Sequence, residues 1–88
     1  MELKQSFNEA KENIEKLTEK PSNEELLKLY ALFKQATIGN NSEEEPGGFD
    51  FRAIAKYRAW KELDGMDEES AMSRYIDLVN SLVEKYSN

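Results

Sequence analysis

Apolar residues in this chain of 88 recur three and four positions apart in four separate segments. Packed amphipathic helices are the arrangement that buries such a pattern. In the first segment Leu3, Phe7, Ala10, Ile14 and Leu17 form one narrow stripe, and the remaining faces are Glu, Lys and Asn. The spacing predicts a helix that stops near Lys20-Pro21, because proline disfavours the helical conformation in the residue before it. The second segment opens with Ser22 and carries Glu25 three residues later, a capping box in which each side chain accepts from an otherwise unpaired backbone N–H. Leu26, Leu29, Tyr30, Phe33 and Thr37 make its main stripe, Leu27, Ala31 and Ile38 widen it, and Gly39 can adopt the left-handed conformation that closes a helix.

Asp50 is a suitable N-cap for the third segment. There Ala53, Tyr57 and Trp60 share a face, Ile54 and Leu63 flank them, and Gly65 is the expected end. Asp67 caps the fourth, with Glu68 and Glu69 in the first turn, where the helix dipole favours negative charge. Ala71, Tyr75, Leu78, Val79, Leu82 and Tyr86 run along it as one stripe. The acidic stretch from Asn40 to Phe49, with Pro46, Gly47 and Gly48, is expected to cross the surface between helices. No segment alternates with the period of a strand. The expected fold class is all-α, a four-helix bundle, with a single domain over residues 1–88.

Composition removes several functions. The chain has no cysteine and no histidine, so disulfides, zinc–thiolate sites and the commonest general base are absent. The net charge of −6 argues against nucleic acid and against an anionic membrane surface. A small anion held by a local group of lysines remains compatible with it. The apolar runs fall short of a membrane span, and the N-terminus lacks the apolar core of a signal peptide. The expectation is a soluble cytoplasmic protein. No apolar stripe is left uncommitted, so a monomer is expected.

Catalysis has little to work with, since no nucleophile has a histidine or cysteine partner and no GxGxxG, P-loop or HExxH occurs. The Glu43–Glu45 run lacks the alternating ligands and glycine of an EF-hand, so neither a metal nor a cofactor is expected. Tyr30 and Lys34, four apart, share a helical face, and Phe33 lies beside them. Such a face can stack a flat base and neutralise a phosphate. The same spacing equally describes two core rings and a solvated lysine. Arg52 and Lys56 form a second cationic pair, which spacing alone does not separate from ordinary surface charge. Tyr57, Trp60, Met66 and Met72 read as packing residues. Tyr75 combines a ring in the stripe with a hydroxyl suited to a groove edge.

Two blocks of residues narrow these alternatives. Leu29-Tyr30-Ala31-Leu32-Phe33-Lys34-Gln35-Ala36-Thr37-Ile38-Gly39 resembles the Tyr-x-x-Tyr-Lys-Gln-Ala-Thr-x-Gly pattern of the acyl-CoA-binding protein family. Ala55-Lys56-Tyr57-Arg58-Ala59-Trp60, with Asp50 before it and Ala71-Met72 and Tyr75-Ile76 after it, follows at that family's spacing. The resemblance covers nearly the whole chain. It implies an up-down-down-up four-helix bundle with a bowl-like groove. It implies a non-catalytic intracellular carrier of medium- and long-chain fatty acyl-CoA esters that buffers the pool and supplies lipid-metabolising enzymes. It further implies that Tyr30, Phe33, Lys34, Lys56 and Tyr75 hold the CoA head group, the two lysines facing the 3′-phosphate. Leu26, Leu27 and Ala55 are the candidate acyl-chain lining.

The chain departs from the family pattern at several positions. Phe33 stands where tyrosine is usual, which keeps a ring and removes a phenol hydrogen bond of about 0.5–1.5 kcal/mol. Tyr57 stands where tryptophan is frequent. Glu15, Ile54 and Glu45 occupy positions that are basic in well-known members, so positive charge is lost at all three. Those losses and the acidic loop support the alternative, a helical protein-interaction domain with an acidic face and no acyl-CoA ligand.

Overall fold

The computed structural model describes residues 2–86, and four helices make up the regular structure among them. They are α1 (Glu2–Glu15), α2 (Asn23–Thr37), α3 (Phe51–Lys61) and α4 (Glu68–Tyr86). The caps read from the sequence are formed. The Ser22 Oγ accepts from the Glu25 amide at 3.2 Å while Glu25 Oε1 accepts from the Ser22 amide at 2.9 Å. Asp50 Oδ1 accepts from the Ala53 amide, and Asp67 accepts from both the amide and the hydroxyl of Ser70. Gly39, at φ +98°, closes α2, its amide and that of Ile38 both donating to the Lys34 carbonyl.

Two boundaries differ from expectation. Helix α1 ends at Glu15, well before Lys20. Its last turn has no basic residue and finishes on a carboxylate, which opposes the helix dipole. The Lys16 and Leu17 amides then bond three residues back, to Asn13 and Ile14. Leu17 still packs on the core, so the stripe is buried without further helix. Helix α3 ends at Lys61 rather than Gly65, and tight i→i−3 bonds carry the chain through Leu63 and Asp64.

Contacts at the helix ends set the directions. Glu25, in the first turn of α2, meets Lys85 and Tyr86 at the end of α4, so these two helices are antiparallel. Phe7 lies against Tyr75, and Leu17 and Val83 line one small cleft, so α1 and α4 are parallel. Leu26 and Leu27 sit beside Phe51 and Arg52, and Lys34 sits beside Trp60, so α2 and α3 are parallel. The result is the up-down-down-up order. The packing sequence in space is α1, α4, α2, α3, with α3 resting on α2 alone. The backbone therefore spreads as a slab of 40 × 30 × 15 Å.

Helix α4 supplies the central apolar stripe, with Ala71, Tyr75, Val79 and Leu82 all buried. Phe7 and Ala10 from α1 and Leu29, Leu32 and Ala36 from α2 close on it. Burying each large side chain of this kind contributes about 1.5–3 kcal/mol. Met66 and Met72 pack on the cluster's edge, as their placement in sequence suggested.

The polar tie between α2 and α4 has a consequence for acid stability. The Tyr86 hydroxyl donates to Glu25 Oε1 at 2.7 Å and the Lys85 ammonium to Oε2 at 2.9 Å. These two donors, then the Ser22 amide, pull the Glu25 carboxyl from 4.5 down to about 2. Folding thus favours the charged form, so this contribution is complete above pH 4.5 and disappears as pH falls towards 2. A Glu25→Gln variant should melt at a lower temperature than wild type at neutral pH. It should also lose less stability between pH 4.5 and 2. Parallel melting profiles across that window would assign the acid sensitivity to other carboxylates.

Candidate functional site

Two ammonium groups from different helices converge on one phenol ring. Lys34 Nζ, on α2, lies 5.7 Å from the centroid of Tyr30, and Lys56 Nζ, on α3, lies 5.2 Å from it. Lys34 also sits 5.4 Å from the ring centroid of Trp60. Cation–π attraction of about 0.5–1 kcal/mol each helps to hold the lysines there. Like charges gathered in this way repel, so a bound anion would relieve the arrangement. Burial, and then the charge of Glu43, raises the Tyr30 pKa above its ordinary value.

A cavity of about 410 Å³ opens beside this group. Leu26 and Leu27 from α2 and Phe51 and Ala55 from α3 line it, with Tyr30 and Lys56 at its border. All three residues proposed from sequence as acyl-chain lining therefore share one space with two of the proposed head-group residues. Arg52 and Lys20 also reach this cavity. In the sequence Lys20 stands out only as the residue before a proline, and Phe51 carries no signal of its own.

Phe33 and Tyr75 fall in a separate cluster. Phe33 stacks on Phe7 with centroids 5.9 Å apart, and Tyr75 meets Phe7 edge-on at 5.0 Å. Phe33 and Tyr75 are 6.2 Å apart. Burial, and then the charge of Glu15, pushes the Tyr75 pKa up. Since Phe33 follows Tyr30 by one helical turn, the cluster adjoins the lysine pair along α2.

What aligns α3 with α2 is a polar clasp that periodicity could not reveal. The buried Trp60 indole N–H donates to the Gly39 carbonyl at 2.8 Å. Gln35 Nε2, inside the core, donates to Asn40 Oδ1 at 2.9 Å and to the Met66 carbonyl at 2.8 Å. Asn41 Nδ2 donates to the Tyr57 carbonyl at 3.1 Å, Asn41 Oδ1 accepts from the Glu43 amide, and the Asn41 carbonyl accepts from Lys61 Nζ. The loop after α2 thus corrects the expectation of a purely surface crossing: Asn41 is only 2% exposed. Its polar side chain is buried because the Tyr57 carbonyl and the Glu43 amide offer it partners. Glu45, one of the positions where a cation is lost, pairs with Arg58 at 2.8 Å and fastens the outer loop.

A model of the family described as "Acyl CoA binding protein" matches residues 4–79. The chain belongs to the acyl-CoA-binding protein family. It is 47% identical to acyl-CoA-binding protein homolog 1 of Caenorhabditis elegans, covering 92% of this chain and 94% of the relative. It is 45% identical to the acyl-CoA-binding protein of Saccharomyces cerevisiae, over 98% of this chain and 99% of that one. The crystal structure of Oryza sativa acyl-CoA-binding protein 2 superposes with a TM-score of 0.94 at 40% identity, covering 100% of this chain and 96% of the other. In this member of the family the loop clasp ties α3, the helix that carries Lys56, to the end of α2. An Asn41→Ala variant should lose about 2 kcal/mol of unfolding free energy in urea, because it strips a partner from the Tyr57 carbonyl and from the Glu43 amide. A loss below about 0.5 kcal/mol, the ordinary range for a surface change, would show that α3 is held without it.

Proposed function

We propose that this chain is a non-catalytic carrier of medium- and long-chain fatty acyl-CoA esters. The observation that carries the reading is the convergence of Lys34 and Lys56 on Tyr30 at the edge of a cavity walled by Leu26, Leu27 and Ala55. A CoA ester has the matching chemistry, a polyanionic head joined to an apolar tail. In this reading the lysines face the 3′-phosphate. Tyr30 contacts the adenine or a nearby part of the ligand, and Phe33 and Tyr75 shape the adjoining wall. The acyl chain lies along the cavity.

Magnitudes support a division of labour between the two ends. Burying about 16 carbons at roughly 0.8 kcal/mol per methylene contributes on the order of 10 kcal/mol. Ordering and desolvation consume much of that. Charge-assisted bonds to the phosphate then supply discrimination, because a free fatty acid cannot satisfy both lysines. Family membership supports this carrier over a helical interaction domain without a ligand. A sequence without histidine or cysteine supports binding without chemistry. Among the described residues no helix is long and apolar enough to cross a membrane. We place the protein in the cytoplasm as a monomer that buffers acyl-CoA and hands it to enzymes of lipid metabolism.

Calorimetry with palmitoyl-CoA, CoA and palmitate tests the reading. The ester should bind most tightly and palmitate most weakly, and equal affinity for palmitate and its CoA ester would overturn the assignment. The double variant Lys34→Ala, Lys56→Ala should lose roughly tenfold or more in affinity for the ester, given the strength of charge-assisted bonds. It should retain the wild-type melting temperature. Undiminished affinity would move the phosphate elsewhere.

A further inference from the structure

We infer that Ser42 is a phosphorylation site for an acidophilic serine kinase, and that a phosphate there weakens binding of the CoA ester at the Lys34–Lys56 pair. The second half of this inference rests on the acyl-CoA reading above. Ser42 is exposed and is followed directly by Glu43, Glu44 and Glu45. A hydroxyl with carboxylates on its C-terminal side is the pattern read by a kinase whose substrate cleft is lined with basic side chains. Ser6, Ser22 and Ser81 also precede a glutamate at the third position. Ser6 and Ser81, however, lie within α1 and α4, and the Ser22 hydroxyl caps α2 by accepting from the Glu25 amide. Ser42 stands between α2 and α3, where no helix holds the chain away from the extended form that a kinase cleft accepts. In the transfer, Ser42 Oγ attacks the γ-phosphorus of magnesium-bound ATP. The new P–O bond replaces the bond to the β-phosphate oxygen, ADP leaves, and the hydroxyl proton passes to the catalytic base of the kinase.

The loop holds Ser42 beside the lysine pair. On one side of it, Asn41 Nδ2 donates to the carbonyl of Tyr57, the residue after Lys56. Trp60, which bonds the Gly39 carbonyl, lies under the Lys34 ammonium. On the other side, the Glu43 amide donates back to Asn41 Oδ1, a turn that closes around Ser42. Burial is the larger cause of the raised Tyr30 pKa and the charge of Glu43 the second. A charge on this part of the loop is therefore felt at the ring that both lysines cover. Phosphoserine carries roughly −1.5 to −2 charges near neutral pH, more than a carboxylate, and presents three acceptor oxygens. Lys61, already donating to the Asn41 carbonyl and paired with Asp64, offers a partner that keeps the phosphate against α3. Glu45 adds little to the local field, since Arg58 neutralises it. An anion at Ser42 then competes with the 3′-phosphate for Lys34 and Lys56 and repels it. The acidic run, which no metal site explains, becomes the element that the kinase recognises.

Phosphorylation in vitro followed by titration tests both halves. Purified protein incubated with an acidophilic serine kinase and magnesium ATP should take up phosphate on Ser42, located by mass spectrometry, and Ser42→Ala should take up none. The phosphorylated protein should bind palmitoyl-CoA about fivefold more weakly than the unmodified protein at low ionic strength, the upper end for exposed charge interactions. Its melting temperature should stay near that of the unmodified protein, because the clasp at Asn41 is kept. The loss should be smaller for palmitoyl-dephospho-CoA, which lacks the 3′-phosphate. Unmodified Ser42→Ala should bind both esters as wild type does. Phosphate on another residue, or none, would overturn the assignment of Ser42. Affinity for palmitoyl-CoA within about twofold of the unmodified protein, the low end for such interactions, would overturn the effect on the lysine pair. An equal loss for both esters would overturn it too. If the unmodified protein bound neither ester, the carrier reading itself would fall and take the second half of the inference with it.

Discussion

Among the helices α3 packs against α2 alone, yet it carries Lys56, half of the cationic pair. Its position depends on the bond from the Trp60 indole to the Gly39 carbonyl, with Asn41 and Gln35 completing the clasp. Trp60 is almost completely buried, so an unmade bond there would carry the full desolvation penalty of both groups. That cost gives the loop after α2 one well-defined path. The path fixes where α3 begins, and the start of α3 fixes Lys56 and the cavity wall at Phe51 and Ala55. The chemistry of the site is thus set by a polar contact outside it.

The rest of the bundle is held by a different kind of force. Around α4 the core is apolar and nearly continuous, running from Phe7 through Tyr75 to Leu82. Non-directional burial of this kind tolerates small shifts, whereas the clasp at α3 is directional. The slab geometry follows from this arrangement. A helix packed on a single neighbour leaves a long seam, and the cavity opens along that seam. An apolar cavity bordered by cations is a usable container for an amphiphile whose head is anionic. The same residues in a four-cornered bundle would have been buried in a core.

Helix identity was legible because the stripes and caps agree. Ser22 with Glu25, Asp50 and Asp67 each begin a helix at the place their chemistry demands. Ends were less legible. The dipole penalty of Glu15 and the tight turns after Lys61 act locally and leave no period in the sequence. Within the candidate site, Tyr30, Lys34 and Lys56 were recoverable from helical spacing together with a family pattern. Lys20 and Phe51 were missed because each lies at a helix boundary, where periodicity carries no signal. Gln35 and Asn41 were missed because a buried amide looks, in sequence, like any surface amide. Only the carbonyls it meets across the fold make its burial tolerable.

Sequence alone therefore determined that this chain is helical, where its helices begin, and which aromatic and basic residues share a face. These properties follow from local dihedral preferences and from the 3.6-residue repeat, which act over a few positions. Tertiary structure decided that Lys56 joins Lys34 over the same ring, that Phe33 and Tyr75 belong to a neighbouring cluster under Lys11, and that an apolar cavity lies between α2 and α3. Those outcomes depend on contacts between residues 20 or more positions apart, such as Trp60 with Gly39 and Gln35 with Met66. No local preference encodes them, because each is settled by which buried polar groups find partners once the helices have packed.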